Sequence, residues 1–202
     1  MLLLANYTES DRLAGLRVAI LLTDGFEQVE MTEPRKTLNN NGADTKIVSP
    51  RTGTRVRAWN FTNWGEDFHV DVALHHADPD KFDALHLPGG VMNPDTLRTD
   101  LRAVEFVRAF FDAGKPVAVI CHGPWTIIEA DRARGRRMTS WPSLRTDLRN
   151  AGAEWVDEAV VIDGDQLVSS RQPDDIPQFN KAMVDVFAQR VPTHRSTVKS
   201  WQ

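Results

Sequence analysis

The sequence predicts an α/β protein in which helices cover both faces of a mostly parallel central sheet. Short apolar stretches rich in β-branched residues alternate with longer segments of helical periodicity along the 202-residue chain. This alternation is typical of parallel sheets, because each parallel connection needs a crossover that a helix usually provides. The length and the 41% hydrophobic content allow one large core, so we expect a single domain.

Four segments are predicted to be buried strands, because they are short, apolar and closed by turn residues. They cover residues 16–22, 45–49, 83–88 and 116–120. The second of them is a short run of five residues that ends at Pro50.

Two helical segments lie between these strands. The first, 28–42, stops at Gly42, and the second, 94–114, stops at Gly114. Pro34 predicts a late start or a kink in the first segment, because proline removes a helical hydrogen bond. One stripe of the second segment can pack on a sheet, since apolar residues recur at spacings of three and four at Leu97, Leu101, Val104, Val107 and Phe111.

Two further segments indicate added β-structure. Alternating apolar and polar residues across 55–74 predict a β-hairpin or arm outside the parallel core. Residues 159–170 place Asp163 and Gly164 between two apolar runs, which predicts a second hairpin. A helix over 174–190 is expected to close the fold.

The domain is predicted to span 16–190, with an N-terminal extension at 1–15 and a loose C-terminal tail at 191–202. The formal charge of −4 gives no electrostatic reason to expect nucleic acid or an anionic membrane surface as a partner. No apolar stretch approaches the roughly 20 residues that span a bilayer. The single cysteine forms no internal disulfide, and the first residues lack the pattern of a signal peptide, so we expect a cytoplasmic protein.

Three chemically unusual loops follow three of the predicted strands. They cover residues 23–30, 88–95 and 121–125. Because ligands of open parallel sheets bind beyond the carboxyl ends of the strands, we expect these loops to converge on one site.

Cys121 stands where a predicted strand turns at once into a helix. Gly123 permits a tight turn there, and Pro124 suits the first helical position. This arrangement indicates a nucleophile elbow with sulfur in place of a serine oxygen. The thiol would face the amino end of a helix over 124–131, which would favour the thiolate. An inert core cysteine is the alternative that this pattern disfavours.

The neighbouring polar residues suggest roles around the thiol. Glu27 could hydrogen-bond the sulfur and exchange protons, or it could be a helix-start carboxylate, as Glu30 is expected to be. His122 is the obvious base, with a buried structural histidine as the alternative. The amides of Gly89 and Gly90, with that of His122, could hold an oxyanion, although Pro-Gly-Gly is also ordinary turn chemistry.

Other functional readings are weaker. His69, His75 and His76 invite a metal site, but the alternating pattern makes them the solvent face of a strand, so we expect no metal. The basic cluster at 132–137 follows a helix end in an acidic protein, which argues against nucleic-acid binding. Of the six tryptophans, Trp125 is singled out because it lies within a helical turn of the thiol.

The chain resembles the PfpI intracellular-protease family, which is related to the parkinsonism-associated deglycase and to class I glutamine amidotransferases. The resemblance rests on the motifs LLTDGFEQVE, FDALHLPGG, KPVAVICHGPW and RGRRMTSWPSLRTDLRNAGAEWVDEAVVIDGDQLVSSRQPDD. It implies a flavodoxin-like three-layer sandwich, assembly into homodimers or hexamers, and a cysteine site without metal or organic cofactor.

The resemblance also implies roles for particular residues. It places the family's nucleophile on Cys121, its adjacent histidine on His122 and its thiol-contacting glutamate on Glu27. Asp95 matches the acidic residue that a neighbouring subunit supplies to orient the histidine, although protease-like members carry glutamate there. Around these residues we place the substrate against Gly89, Gly90, Gly123 and Trp125. The inserted stretch around Trp59 and Trp64 departs from the compact members and could reshape the site entrance or the subunit contact.

The function that the resemblance implies is detoxification or repair of reactive dicarbonyls such as methylglyoxal, and of their protein adducts, in a stress response. One alternative is peptide hydrolysis by Cys121, His122 and Asp95 of a second subunit. The other is a redox sensor or chaperone with an oxidisable cysteine. The expected partners are thus copies of the chain and a small dicarbonyl, peptide or protein substrate.

Overall fold

The computed structural model describes residues 11–191, and a seven-stranded sheet forms its centre. The strands of the chain are β1 (Arg17–Leu21), β2 (Asp44–Ser49), β3 (Arg55–Asn60), β4 (Asn63–His69), β5 (Val72–Ala73), β6 (Ala84–Leu87), β7 (Val117–Ile120), β8 (Arg137–Met138), β9 (Glu154–Trp155), β10 (Val160–Asp163) and β11 (Leu167–Ser170). The helices are α1 (Gln28–Asn40), α2 (Met92–Leu97), α3 (Leu101–Asp112), α4 (Pro124–Glu129), α5 (Arg145–Asn150) and α6 (Ile176–Ala188).

The central sheet has the order β10-β11-β7-β6-β1-β2-β5. Its strands pair in parallel except for the antiparallel pair β10–β11 at one edge. All four buried strands predicted from the sequence lie in this sheet, which confirms the mostly parallel architecture.

Alternate residues of the central strands enter cores on opposite faces of the sheet. In β1, Ala19 and Leu21 join the core that contains the apolar side of α3. Val18 and Ile20 point to the other face, which α1 and α6 cover. All four side chains are fully buried, so β1 is covered on both sides as the three-layer prediction requires.

The predicted helix 94–114 is wrong as a single helix, because the chain breaks between α2 and α3. Asp100 caps the amino end of α3, where its carboxylate accepts hydrogen bonds from the N–H groups of Arg102 and Ala103. The late start predicted for the first helix is also wrong. α1 begins at Gln28 and contains Pro34.

The predicted arm is a two-stranded hairpin, β3–β4, that lies outside the central sheet. Val56 and Ala58 of β3 pack with Phe26 and Met31, so the hairpin packs against the start of α1. The prediction is wrong for β5, which pairs in parallel with β2 at the sheet edge. The second hairpin, β10–β11, is confirmed with a three-residue turn at 164–166.

Part of the N-terminal segment is packed on the domain. Leu13 is fully buried, and Arg12 forms an ion pair of 2.8 Å with Asp185 of α6. Positions 1–10 and 192–202 lie outside the described residues, and so does most of the predicted extension and tail. Within 11–191, no helix is both long and apolar enough to span a bilayer.

Candidate active site

Cys121 occupies a sharp corner between β7 and α4. Its backbone φ is 62°, a left-handed conformation that non-glycine residues adopt at a cost of order 1–3 kcal/mol. Both backbone groups are held, since its N–H donates to the Ser170 carbonyl at 3.0 Å and its carbonyl accepts from Trp141 N–H at 2.9 Å. The predicted elbow is therefore present, and it is fixed from two other segments of the chain.

Gly123 permits the close approach of the corner to the sheet. A Cβ at this position would lie 2.7 Å from Val119 Cγ2 and 2.8 Å from the Leu87 carbonyl oxygen. Its own N–H donates to the Ile120 carbonyl at 3.0 Å. Gly123 therefore shapes the corner, and its amide is already engaged within the turn.

Substituting Gly123 with alanine is expected to destabilise the fold by about 1–3 kcal/mol, because the added methyl overpacks the contact with β6 and β7. Chemical denaturation measures the change in the free energy of unfolding. Gly53→Ala is the matched control, since its nearest neighbour would be Arg51 Nε at 3.9 Å, and it should stay within about 0.5 kcal/mol of the wild type. Equal stability of the two variants would refute this account of the corner.

The thiol opens into a cavity of about 690 Å³. Its walls come from the loops after β1, β6, β7 and β11, together with the turn of the β3–β4 hairpin and the segment after β8. This confirms that the loops at the carboxyl edge of the sheet converge. The lining residues are Glu27, Glu30, Trp59, Phe61, Gly90, Val91, Met92, Cys121, His122, Trp141, Gln172, Pro173 and Asp174.

The carboxyl group against the thiol belongs to Glu30 and not to Glu27, which corrects the sequence prediction. Glu30 is fully buried in the first turn of α1, and Gly89 lies between its Oε2 and the Cβ of Cys121. Gly89 N–H donates to Oε2 at 2.9 Å, while Oε1 has no hydrogen-bond partner within residues 11–191. That unpaired oxygen can carry a proton beside the sulfur.

Glu27 has a different place, at the wall of the cavity. It is the residue before α1, in an extended conformation that directs its side chain towards the β3–β4 turn. Its Oε1 accepts a hydrogen bond from Phe61 N–H at 3.2 Å. Glu27 therefore lies in the site but contacts the hairpin rather than the thiol.

Burial controls the ionisation of the pair formed by Cys121 and Glu30. It raises the pKa of Glu30 to about 8, so this carboxyl is mostly neutral at pH 7. Burial, and the negative charge of Glu30 when it ionises, raise the pKa of Cys121 well above its usual value. Burial therefore opposes the thiolate that the amino end of α4 is predicted to favour, and that stabilisation stays a prediction.

His122 is placed to accept the thiol proton. Its Nδ1 lies 3.2 Å from Cys121 Sγ, and its Nε2 lies 3.4 Å from Ser143 Oγ. Burial lowers the pKa of His122 to about 4, so the ring is neutral at pH 7 and can act as a base. The ring is held by Trp125 and by Trp141, whose centroids are 5.2 Å and 5.8 Å away.

Two backbone amides lower the pKa of Cys121 against the effect of burial. The N–H groups of Gly90 and His122 interact with the Cys121 sulfur and would stabilise negative charge there. Gly89 contributes differently than predicted, because its N–H already binds Glu30. The oxyanion donors that remain available are therefore Gly90 and His122.

Asp95 and Trp125, like Gly89 and Gly123, lie outside the cavity wall. Asp95 is exposed on α2 and forms an ion pair of 3.1 Å with Arg98. The Trp125 ring packs against the His122 ring, and its Nε1 donates to Asp147 Oδ2 at 2.9 Å. A role for Asp95 in a neighbouring subunit stays a prediction.

Several wall residues were not identified from the sequence. Trp141 and the segment 172–174 are distant in sequence from Cys121. They line the cavity because the sheet order places β11 beside β7. All of these residues lie within the last of the four motifs on which the family resemblance rests. Glu30 could have been found from its position three residues after Glu27, in the first turn of a helix that begins at Gln28.

Comparisons with known proteins agree with this geometry. Residues 16–186 match the model of the DJ-1/PfpI family. The chain is 43% identical to protein/nucleic acid deglycase 2 of Escherichia coli, with 82% of this chain and 94% of the relative covered. It is 42% identical to general stress protein 18 of Bacillus subtilis, over 83% and 95% of the two chains.

A solved structure shares the fold. It is a two-domain protein from Anabaena variabilis with a DJ-1/ThiJ/PfpI-like and a ferritin-like domain, and it is 32% identical with a TM-score of 0.79. The match covers 90% of this chain and 51% of that protein, so the chain spans about half its length. With the family match over most of its length and the cysteine corner in place, the chain belongs to the DJ-1/PfpI family.

Proposed function

We propose that the protein is a cysteine-dependent enzyme of the glyoxalase or deglycase type, acting on reactive carbonyls in a stress response. One observation carries the proposal: the Cys121 thiol lies between a base and an acid that are both neutral at pH 7. His122 is neutral at pH 7 because burial lowers its pKa to about 4, and Glu30 keeps its proton because burial raises its pKa to about 8. The names of the deglycase and stress-protein relatives support the same function.

The first step is addition of sulfur to an aldehyde carbon. The Cys121 thiol proton passes to His122 Nδ1 while the sulfur–carbon bond forms. The π electrons of the carbonyl move to its oxygen, which the amides of Gly90 and His122 stabilise and which takes the Glu30 proton. The product is a neutral hemithioacetal. For an adduct on an amine, the carbon–nitrogen bond breaks as the sulfur bond forms, and the amine leaves with a proton.

The second step turns the hemithioacetal into a thioester. A proton leaves the former aldehyde carbon and another is added at the neighbouring ketone carbon, so the first carbon is oxidised and the second is reduced. The ionised Glu30 left by the first step can accept this proton. Water then cleaves the thioester, and methylglyoxal plus water yields lactate with the thiol restored.

Peptide hydrolysis is the weaker alternative within one chain. A cysteine peptidase orients its histidine with a third polar group, and among residues 11–191 the partner of His122 Nε2 is Ser143 Oγ, at 3.4 Å. Asp95 forms an ion pair with Arg98, the residue that follows α2. The peptidase therefore needs an acidic residue from a second subunit, and the predicted dimer or hexamer stays a prediction.

Product analysis tests the proposal. The purified protein is incubated with the methylglyoxal adduct of N-acetylarginine, and free N-acetylarginine and lactate are measured by chromatography. The proposal predicts that both appear in equal amounts. Cleavage of short amide substrates without release of lactate would replace it with the peptidase function.

A further inference from the structure

The carbonyl of Glu30 lacks its regular partner inside α1. In an α-helix the carbonyl of one residue accepts a hydrogen bond from the N–H group four residues later, and here that residue is Pro34, which has no N–H. The proline ring also crowds the carbonyl. Glu30 and Pro34 are both buried, and a buried carbonyl without a donor costs free energy comparable with a lost hydrogen bond. A donor from outside the helix is therefore needed at this point.

His86 of β6 supplies this donor. Its Nε2 lies 2.9 Å from the Glu30 carbonyl oxygen, and its Nδ1 lies 3.3 Å from the Ala118 carbonyl oxygen. Burial lowers the pKa of His86 to about 4, so the ring is neutral at pH 7 and carries one N–H. The shorter contact places that proton on Nε2, where it compensates for the N–H that Pro34 lacks.

The imidazole of His86 has a fixed position in the core. β6 pairs with β1 on one side and with β7 on the other, and the ring packs against Phe179 of α6 with centroids 5.9 Å apart. The other three residues of β6 are apolar and buried. A polar side chain in such a strand needs hydrogen-bond partners, and the carbonyl in the first turn of α1 is the closer of the two that His86 has.

The segment that begins at His86 also holds the side chain of Glu30. Gly89 follows in the same segment, and its N–H donates to Glu30 Oε2 at 2.9 Å. A Cβ on Gly89 would lie 2.6 Å from that oxygen and 2.7 Å from the Cβ of Cys121, so there is no spare space between the acid and the thiol. A displacement of the first turn of α1 would therefore change the contact between them.

We propose that His86 is a positioning residue for the acid of the reaction. By donating to the Glu30 carbonyl in place of the N–H that Pro34 lacks, it ties the first turn of α1 to β6 and holds the Glu30 carboxyl against Cys121. The inference rests on the proposed function for the role of the acid, but the placement of Glu30 can be measured without turnover.

Replacing His86 with leucine tests the tie, because leucine fills a buried site but donates no hydrogen bond. The infrared C=O band of the neutral Glu30 carboxyl reports its surroundings in the absence of substrate. Its midpoint is expected to fall by at least about 1 pH unit from the wild-type value near 8, since a displaced carboxyl gains contact with water. The kcat for methylglyoxal should fall about 10–100-fold with KM unchanged.

Restoring the donor should reverse these changes. In the double variant His86→Leu with Pro34→Ala, residue 34 regains the N–H that a helix normally supplies, so the band should return to near pH 8 and kcat to within about 2-fold of Pro34→Ala alone. His86→Gln, whose amide can donate from a similar position, should also retain the wild-type midpoint. These two variants decide the question if His86→Leu alone does not fold.

Thr45→Val is the matched control, because it removes a hydrogen bond from the opposite end of the same helix. Thr45 Oγ1 donates to Asn39 Oδ1 at 2.8 Å, and its loss should leave the Glu30 midpoint unchanged.

An unchanged midpoint in His86→Leu would overturn the inference, and so would an equal shift in His86→Leu and in the double variant. A wild type without the acid band at pH 7 would overturn it too. Failure of the proposed function would instead appear as absence of lactate in the product assay while the shift and its reversal persist.

Discussion

Replacing Cys121 with alanine is expected to lower kcat/KM for methylglyoxal by about 10³-fold or more, because no other group in the cavity can form the covalent intermediate. Cys121 is the only cysteine of the chain, so no second thiol can substitute for it. The loss should appear in kcat, since the other walls of the cavity stay intact. Lactate formation under saturating methylglyoxal measures it.

Cys121→Ser is the matched variant for this test, because it keeps the size of the side chain and the left-handed corner. Its hydroxyl is a poorer nucleophile than the thiol, so it should also lose turnover while its thermal midpoint stays near that of the wild type. Turnover of methylglyoxal by both variants at the wild-type rate would show that the chemistry takes place elsewhere.

Replacing Glu30 with glutamine is expected to make the fold more stable at neutral pH and the enzyme slower. The pKa of Glu30 is raised from 4.5 to about 8 in the folded protein, so the folded state keeps a proton that the unfolded state loses above pH 4.5. The wild type therefore loses stability as the pH rises from that value towards 8. Glutamine does not titrate, so the variant lacks this loss.

The size of the effect follows from the pKa shift. Between pH 5 and pH 7 the stability of the variant relative to the wild type should increase by about 2–3 kcal/mol, at about 1.4 kcal/mol for each pH unit. Urea denaturation at the two pH values measures it. A constant difference across this range would mean that Glu30 is ionised in the folded protein.

The same substitution should reduce kcat by about 10²–10⁴-fold, since glutamine cannot exchange the proton that the carbonyl oxygen needs. Glu27→Gln separates the two glutamates. It alters the hydrogen bond to the hairpin but leaves the acid beside the sulfur, so its effect on kcat should be smaller. A larger loss in Glu27→Gln than in Glu30→Gln would restore the assignment made from the sequence.

The corner at Cys121 could be predicted because it depends on adjacent residues. A β-branched strand, a small residue at 123 and a proline at the first helical position together determine the turn. The parallel sheet could be predicted for a similar reason, since its strands are continuous apolar runs. Both features can be predicted from residues that are close together in the sequence.

The identity of the acid and the state of the thiol could not be predicted in this way. Which glutamate reaches the sulfur depends on where α1 begins, and a start at Gln28 turns Glu30 inward and leaves Glu27 for the hairpin. The pKa values depend on burial by loops from β6 and β11 that are remote in sequence. The break at Asp100 was missed because the apolar stripe continues on both sides of it.

The protonation of Glu30 is the most direct test of this account. Infrared spectra of the wild type and of Glu30→Gln, recorded between pH 5 and pH 9, resolve the C=O absorption of a neutral carboxylic acid. The account predicts a band that persists at pH 7, disappears with a midpoint near pH 8 and is missing in the variant. No such band at pH 7, or one that survives the substitution, would contradict it.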